Sequence, residues 1–475
     1  MTFLVSFTVF FVVYSLLSYD LIHKHSYVNS HMLFLAEKAL IATKSEPARL
    51  ENVGFVYPPL GFLPFMIYNN LWITPALISA LISTLWMRYV LNKSNSGVYS
   101  FVVLAFLLFN PLYIFLAIQR FDMLLFYSML TLSTIFTVKH ADTGYSLYIF
   151  IGGTLLGLTF FLDFRSVFLL PFVIISTYLF FKDNRDYKVA MLLVKLSPII
   201  FATGSWLFLN WAFTEDPFHF INSPYSFFRA ELSDATARSK DSISESLYQT
   251  LDYALRLMPI TLPYYLLFLS IGRYKLFYAL PLFMVYIYPI LLVFFSFYTG
   301  ILVHYYSISI LMLMFAFAFW VYLSYPQRKA MALLFLVSFL LSPVLMHKSP
   351  DLNEKSFAQY LIGKSVEKPV SKQEDMHVAK LILESGCNRV LSDDAYSFAV
   401  VYFTQKPSSF ILPHDYEFYT CLSYPWTCAD CLLVSKKPKD ALLQRFPHSN
   451  NGIVKGYSLI HMGERYVLLG RQKDL

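Results

Sequence analysis

The chain has 475 residues, 57% of them hydrophobic and 19% aromatic, with a mean hydropathy of +0.53. Only 14% are charged, against about 25% in soluble proteins. These values exclude a soluble globule, a disordered chain and a coiled coil, and they fit a polytopic membrane protein. The net charge of +7 calls for no nucleic acid, because lysines and arginines at inner helix ends account for most of it.

The charge is unevenly spread. Between Asp351 and Leu475, 14 acidic and 15 basic residues fall within 125 positions, whereas the first 350 residues hold only 38. The expected fold is an α-helical polytopic membrane body over 1–349 and a small C-terminal α/β soluble domain over 350–475.

Apolar runs long enough for a hydrocarbon core of about 30 Å fall at 3–19, 73–92, 99–118, 122–138, 146–162, 167–182, 190–213, 257–270, 276–299, 304–324 and 330–347, eleven in all. The first run lacks a basic flank and a small-residue cleavage site, so it reads as a retained anchor. Segment 57–70 opens with Pro58-Pro59 and is too short to span, which reads as a re-entrant or interfacial helix. With the N-terminus inside, the inner ends carry Arg88, Lys93, Lys139, Lys182, Arg185, Lys188, Arg273, Lys275, Arg328 and Lys329. The short outer turns carry only Arg120 and Arg165. That asymmetry predicts a multi-pass protein of the plasma (inner) membrane with a cytoplasmic N-terminus. The long segments 20–72 and 214–256 and the C-terminal domain then face outward.

The C-terminal domain reads as a helix over 374–385 stopped by Gly386, a strand at Arg389–Ser392, a helix over 395–404 and a strand at Ser409–Leu412. A strand at Cys431–Val434, a helix over 439–446 and a hairpin of 457–461 with 465–469 follow. Helix–strand alternation predicts a small α/β layer. No glycine-rich phosphate loop occurs in it. All four cysteines, Cys387, Cys421, Cys428 and Cys431, lie here. They read either as disulfides of an oxidising compartment or as a metal site built on Cys428-x-x-Cys431.

In so apolar a chain, charged groups at the membrane surface are the informative ones, because burying them is costly. Asp20 sits where the first span ends. The first outer segment offers His31, Glu37, Glu51 and Tyr57. The plain alternatives are a solvated helix end for Asp20 and an ion pair of Glu37 with Lys38 or Arg49. Arg120-Phe121-Asp122 and Asp163-Phe164-Arg165 form two outer turns, each with one acid and one base. These are either local ion pairs or the walls of one cavity, where arginine suits phosphate. His304-Tyr305-Tyr306 opens the tenth span. Lys195 lies inside the seventh near its inner end, where it can snorkel. Segment 214–256 has the length of a lid or channel loop. This outer clustering fits chemistry on a lipid-linked polar substrate better than alternating access, which places polar groups at the midplane.

The order of these elements resembles the GT-C superfamily of polytopic glycosyltransferases, in its protein-mannosyltransferase and aminoarabinose-transferase-like branch. The likeness rests on Tyr57-Pro58-Pro59-Leu60 after a large first loop, Gln119-Arg120-Phe121-Asp122, Gly153 to Gly157 running on to Asp163-Phe164-Arg165, Asn210-Trp211 with Asp216-Pro217, Ser223-Pro224-Tyr225, and His304-Tyr305-Tyr306. It covers roughly residues 1–345. The resemblance implies transfer of a sugar from a polyprenyl-phosphate donor to a glycan or protein acceptor at the outer face. A carboxylate, Glu51 or Asp20, would act as base, with Asp122 as a further catalytic candidate. Arg120, Arg165 and His304, or a bound divalent metal, would stabilise the lipid phosphate. His31, Glu37, Tyr57 and Asp163 would line the substrate. The chain departs from the family in two places: no Asp-Glu pair occurs in the first loop, where Asn29-Ser30-His31 stand, and Tyr305 occupies the place of an expected arginine. A non-catalytic relative, such as a transporter or flippase whose soluble domain binds a partner, is the alternative.

Overall fold

The computed structural model describes residues 2–92, 97–180, 185–223, 225, 243–274, 287, 290, 306–323, 328–364 and 371–472. It divides into two compact units. The first comprises Met1–Leu21, Pro75–Trp206 and Ala235–Glu367; the second comprises Ile22–Thr74, Leu207–Asp234 and Lys368–Leu475.

The first unit is helical. Among the described residues of the chain, five helices are long and apolar enough to cross a membrane: Phe3–Lys24, Ile73–Leu91, Phe121–Thr143, Arg185–Thr214 and Arg328–His347. A sixth crossing is a bent pair, Val98–Leu108 and Pro111–Gln119, with a 57° break. The break has a local cause. Pro111 lacks a donor and disfavours a helical residue before it, and the Asn110 side chain caps the second helix by accepting from the Leu112 N–H at 3.0 Å. Shorter apolar helices are Ser146–Phe160, Phe164–Tyr178 and Ser309–Leu323. The expected run 257–270 appears as the Leu262–Tyr274 helix. Of the run 276–299 only residues 287 and 290 are described, and the run 304–324 is described over 306–323. These apolar helices support a polytopic membrane protein.

Helix packing follows small residues. Side chains added at Gly153 and Gly157 would come within 2.4 Å of the Lys195 carbonyl and 2.9 Å of the Pro198 backbone. The Ser146–Phe160 helix therefore lies backbone-to-backbone on the Arg185–Thr214 helix, the close approach that paired small residues allow where the hydrophobic effect gives no drive. Elsewhere Ser83 bridges the hydroxyls of Tyr14 (2.9 Å) and Tyr113 (3.0 Å). This fixes the first helix and the Pro111–Gln119 helix at one level.

The second unit is α/β. Its first-loop part holds the Ser30–Lys44 helix, a 3₁₀ turn at Leu50–Val53 and the Pro59–Ile67 helix. At about 1.5 Å per residue the last is far too short to cross a bilayer. Its C-terminal part is a five-stranded sheet of β1 (Val390–Ser392), β2 (Phe410–Ile411), β3 (Cys431–Ser435), β4 (Tyr457–Met462) and β5 (Tyr466–Arg471). The order is β2-β1-β3-β5-β4. β1 pairs in parallel with β2 and β3, while β5 runs antiparallel to β3 and β4. β3 is buried along its whole length, as its continuous apolar run requires of a central strand. Disulfides join Cys387 to Cys431 and Cys421 to Cys428. Cys428 and Cys431 belong to different disulfides, so the Cys428-x-x-Cys431 metal reading is corrected: neither thiolate is left to bind an ion.

The glycine contact is testable. Gly157→Leu should lower the thermal midpoint of the detergent-solubilised protein by several degrees, since overpacking costs about 1–3 kcal/mol. Gly204→Ala, where a side chain meets nothing within 4 Å, should leave the midpoint unchanged or raise it. Equal behaviour of the two variants would contradict the packing.

Candidate functional site

In the first unit, two acid–base turns are built by helix starts. Arg120 ends the Pro111–Gln119 helix and begins the Phe121–Thr143 helix. Its Nε and Nη2 donate to the two Asp122 oxygens, each at 3.0 Å. Both residues are buried, at 6% and 3% exposure. Asp163 caps the Phe164–Leu169 3₁₀ turn by accepting from the Arg165 N–H at 2.9 Å. It also takes the Arg165 guanidinium, through Nε at 2.9 Å and Nη2 at 2.6 Å. Burying a charge is tolerated only with a well-oriented partner, and the bidentate fork supplies one.

The two turns share one end of the unit. The Phe121–Thr143 and Ser146–Phe160 helices are joined through Gly144, in the left-handed conformation at φ 73°. A connection this short makes them antiparallel neighbours, so the start of one and the end of the other lie together. Tyr127 sits inside that end, where the charges of Arg120, Arg165, Asp163 and Asp122 all act on it. Arg120 makes no hydrogen bond through Nη1 among the described residues, so that edge of the guanidinium remains able to donate.

Asp20 lies at the same end. The Tyr14–Ser83–Tyr113 bridge sets a common level. Asp20 follows Tyr14, and Arg120 follows Tyr113, by a rise of about 9–11 Å at helical pitch. Contacts further along confirm the common direction. Phe115 packs on Phe357 at 5.5 Å, Phe357 on Tyr360 at 5.9 Å, and the Tyr360 hydroxyl donates to Asp20 at 3.0 Å. Burial, helped by that hydrogen bond and the Asp20 charge, pushes the Tyr360 hydroxyl up to about 12. Nearby, buried Glu354 accepts the N–H groups of Tyr306 (2.9 Å) and Ser307 (2.8 Å) before the Ser309–Leu323 helix.

The second unit holds His31, Glu37, Glu51 and Tyr57. Asn29 caps the Ser30–Lys44 helix by accepting from the His31 N–H at 2.8 Å, which sets His31 in the first turn. Lys38, fully buried, stands 3.2 Å from Glu37 and donates to Asp394. The rings of Phe34 and Tyr57 lie 4.8 and 5.3 Å from its ammonium. Burial alone would lower the Lys38 pKa, but Asp394 and Glu37 together hold it well above the lysine range. Burial pushes the Glu37 carboxyl up to about 8, against the pull of Lys38. Neither Glu37 oxygen accepts a hydrogen bond among the described residues. At neutral pH Lys38 therefore keeps its charge and Glu37 its proton. Beside it, burial raises Asp393, which caps the Asp394–Thr404 helix, and lowers His414 to about 4. Gly54, at φ +75°, touches the His414 ring so closely that an added Cβ would lie 2.2 Å from it; only glycine fits there.

Glu51 is placed differently from the other carboxylates. It pairs with Arg49 at 3.4 Å, and both side chains are about half exposed, so the pair is weakly held. His304 lies outside the described residues. Among the described residues no group of three or more His, Cys, Asp or Glu side chains is arranged to hold a metal ion. Asp122 and Asp163 are already taken up by arginine, so the described residues do not fit the divalent metal that the resemblance allows. Sequence reasoning missed Lys38 as the centre of a cluster, together with Asp393, Asp394, His414, Tyr127 and Tyr360. Only the Asp393-Asp394 pair at a helix start carried a signal, and it is the signal of an ordinary cap.

Glu37 makes a pH prediction. Folded, it keeps its proton up to about pH 8; unfolded, only to about 4.3. Its folded pKa is raised, so the stability it contributes is lost as pH rises through that window. Glu37→Gln should remove this slope, and its melting temperature should gain on the native chain between pH 5 and 9. Parallel melting profiles would contradict a buried neutral Glu37.

No protein-family model and no curated protein matches this chain.

Proposed function

We propose that the chain is an eleven-span, GT-C-like glycosyltransferase that moves a sugar from a polyprenyl-phosphate donor to a glycan or protein acceptor at the outer face of the plasma membrane. One observation carries this reading: two buried arginine–carboxylate pairs gather at a single end of the helical unit, around Tyr127. The disulfides of the C-terminal sheet support an oxidising, extracytoplasmic location, and the inner-side excess of Lys and Arg supports a cytoplasmic N-terminus.

In this reading Asp20, held by Tyr360, is the base. It takes the proton of the acceptor hydroxyl as that oxygen bonds to the anomeric carbon. The carbon–oxygen bond to the lipid phosphate breaks, and the phosphate leaves with the electron pair. Arg120 and Arg165 stabilise the developing charge from fixed positions in a water-poor site. His304 is a further phosphate contact. Glu37 and Tyr57 serve their own unit as packing and charge balance. Glu51, paired and exposed, is the weaker base. The missing Asp-Glu pair and the arginines' prior engagement by Asp122 and Asp163 favour the second reading, a non-catalytic transporter or flippase.

The test is transfer from polyprenyl-phosphate-linked sugars in membranes carrying the protein. Asp20→Asn should lower kcat by about 10²-fold or more, the usual worth of a general base. Arg120→Lys, which keeps charge and loses the fork, should lower it by about 10²-fold. Glu51→Gln should leave it near native. Full activity in Asp20→Asn would remove Asp20 from the mechanism. Full activity in Arg120→Lys as well would favour the non-catalytic reading.

A further inference from the structure

The C-terminal domain carries a surface that none of the chemistry above uses. Four aromatic side chains stand exposed on one short stretch: Tyr416, fully, then Tyr419, Tyr424 and Trp426, down to 48%. Tyr424 and Trp426 meet edge to face at 5.9 Å, which makes an open corner of two ring faces. The stretch is rigid. The Cys421–Cys428 disulfide closes it, the Phe418–Ser423 helix and the Pro425–Thr427 3₁₀ turn run through it, and Arg389 pairs with Glu417 at its start. Phe418, Cys421 and Pro425 face inward and are buried, so the backbone is anchored while the polar-tipped rings point out.

The composition of the patch selects its partner. Its exposed large side chains are Tyr and Trp, with no Leu, Ile, Phe or Met among them. Protein interfaces also use Tyr and Trp, but set them among Phe, Met and Arg, which the exposed side chains of this stretch lack. Between Lys406 and Lys436 there is no Lys or Arg, while Asp415, Glu417 and Asp430 give the stretch an acidic balance. An anionic lipid surface attracts basic segments and repels this one. A neutral polyhydroxylated chain meets both conditions. Its C–H faces stack on the electron-rich faces of aromatic rings, and its hydroxyls find acceptors and donors in Glu417, Thr420 and Thr427 at the same surface. Rigid rings bind with little loss of side-chain freedom.

We propose that the disulfide-closed stretch from Tyr416 to Trp426 is a carbohydrate-binding platform for a neutral oligosaccharide or polysaccharide chain, centred on the Tyr424–Trp426 corner. The assignment does not depend on sugar transfer.

The experiment uses the full chain in phosphatidylcholine nanodiscs, with fluorescently labelled cellohexaose, maltohexaose and chitohexaose as probes and anisotropy as readout. At least one probe should bind. Trp426→Ala and Tyr424→Ala should each weaken that binding by tenfold or more, and Trp426→Phe should restore most of it. Ile453→Ala, an exposed residue elsewhere on the domain, should change nothing and reports on folding. Failure of all three probes to bind overturns the proposal, as does native affinity in Trp426→Ala. A bilayer occupant is tested in the same discs with brominated lipid. Quenching of a fluorescence component that Trp426→Phe removes places the ring in the membrane and also overturns the proposal.

Discussion

Buried charge governs this structure. The chain spends few charged residues, and three of the cations it buries wholly or in part are each paired with a carboxylate close in space. Arg120 is held by Asp122, Arg165 by Asp163 and Lys38 by Asp394. Removing one member of such a pair strands the other in a low-dielectric interior, at a cost of about 3–5 kcal/mol. The pairs therefore act as fixed points. Two of them set where the antiparallel helices of the first unit begin and end. The third joins the first-loop helix Ser30–Lys44 to the Asp394–Thr404 helix within the second unit.

The same constraint separates two kinds of carboxylate. Asp122 and Asp163 are locked into guanidinium forks, so their role is to position arginine. Asp20 instead accepts from a neutral phenol, that of Tyr360. Glu37 has too few cations nearby for its burial and holds its proton instead. In the proposed transferase this division gives a water-poor end with oriented positive charge and one reactive carboxylate. The disulfide-closed aromatic stretch adds a rigid surface of a different chemistry in the second unit.

Much of the fold was legible in the sequence. Long apolar runs gave the helices at 3–19, 73–92, 122–138 and 330–347, and alternating pattern gave the sheet with its β4–β5 hairpin. The ion pairs of Arg120 and Arg165 were legible because each partner sits two residues away. Less could be read of the break at Asn110-Pro111, since hydropathy runs straight through it. The Lys38–Asp394 pair joins residues 356 apart, and nothing local in either segment marks it. The second unit is discontinuous, with the first outer segment packed into the same body as the C-terminal sheet. Composition along the chain sees only the boundary near Asp351, because the first outer segment is poorer in charged residues than the C-terminal domain. Tyr127 and Tyr360 escaped for a related reason: in a chain with 35 tyrosines, a single one gains meaning only from what surrounds it.

The central claim is that oriented arginines at one end of the helical unit meet a lipid phosphate. Photo-crosslinking states it most directly. A polyprenyl-phosphate probe with its reactive group beside the phosphate is added to membranes carrying the protein, and labelled peptides are mapped by mass spectrometry. The account predicts label concentrated on the segments around Tyr113–Tyr127 and Asp163–Arg165, competed by unlabelled polyprenyl phosphate and not by polyprenol. Label spread evenly over the apolar helices, or competed equally by polyprenol, would contradict it.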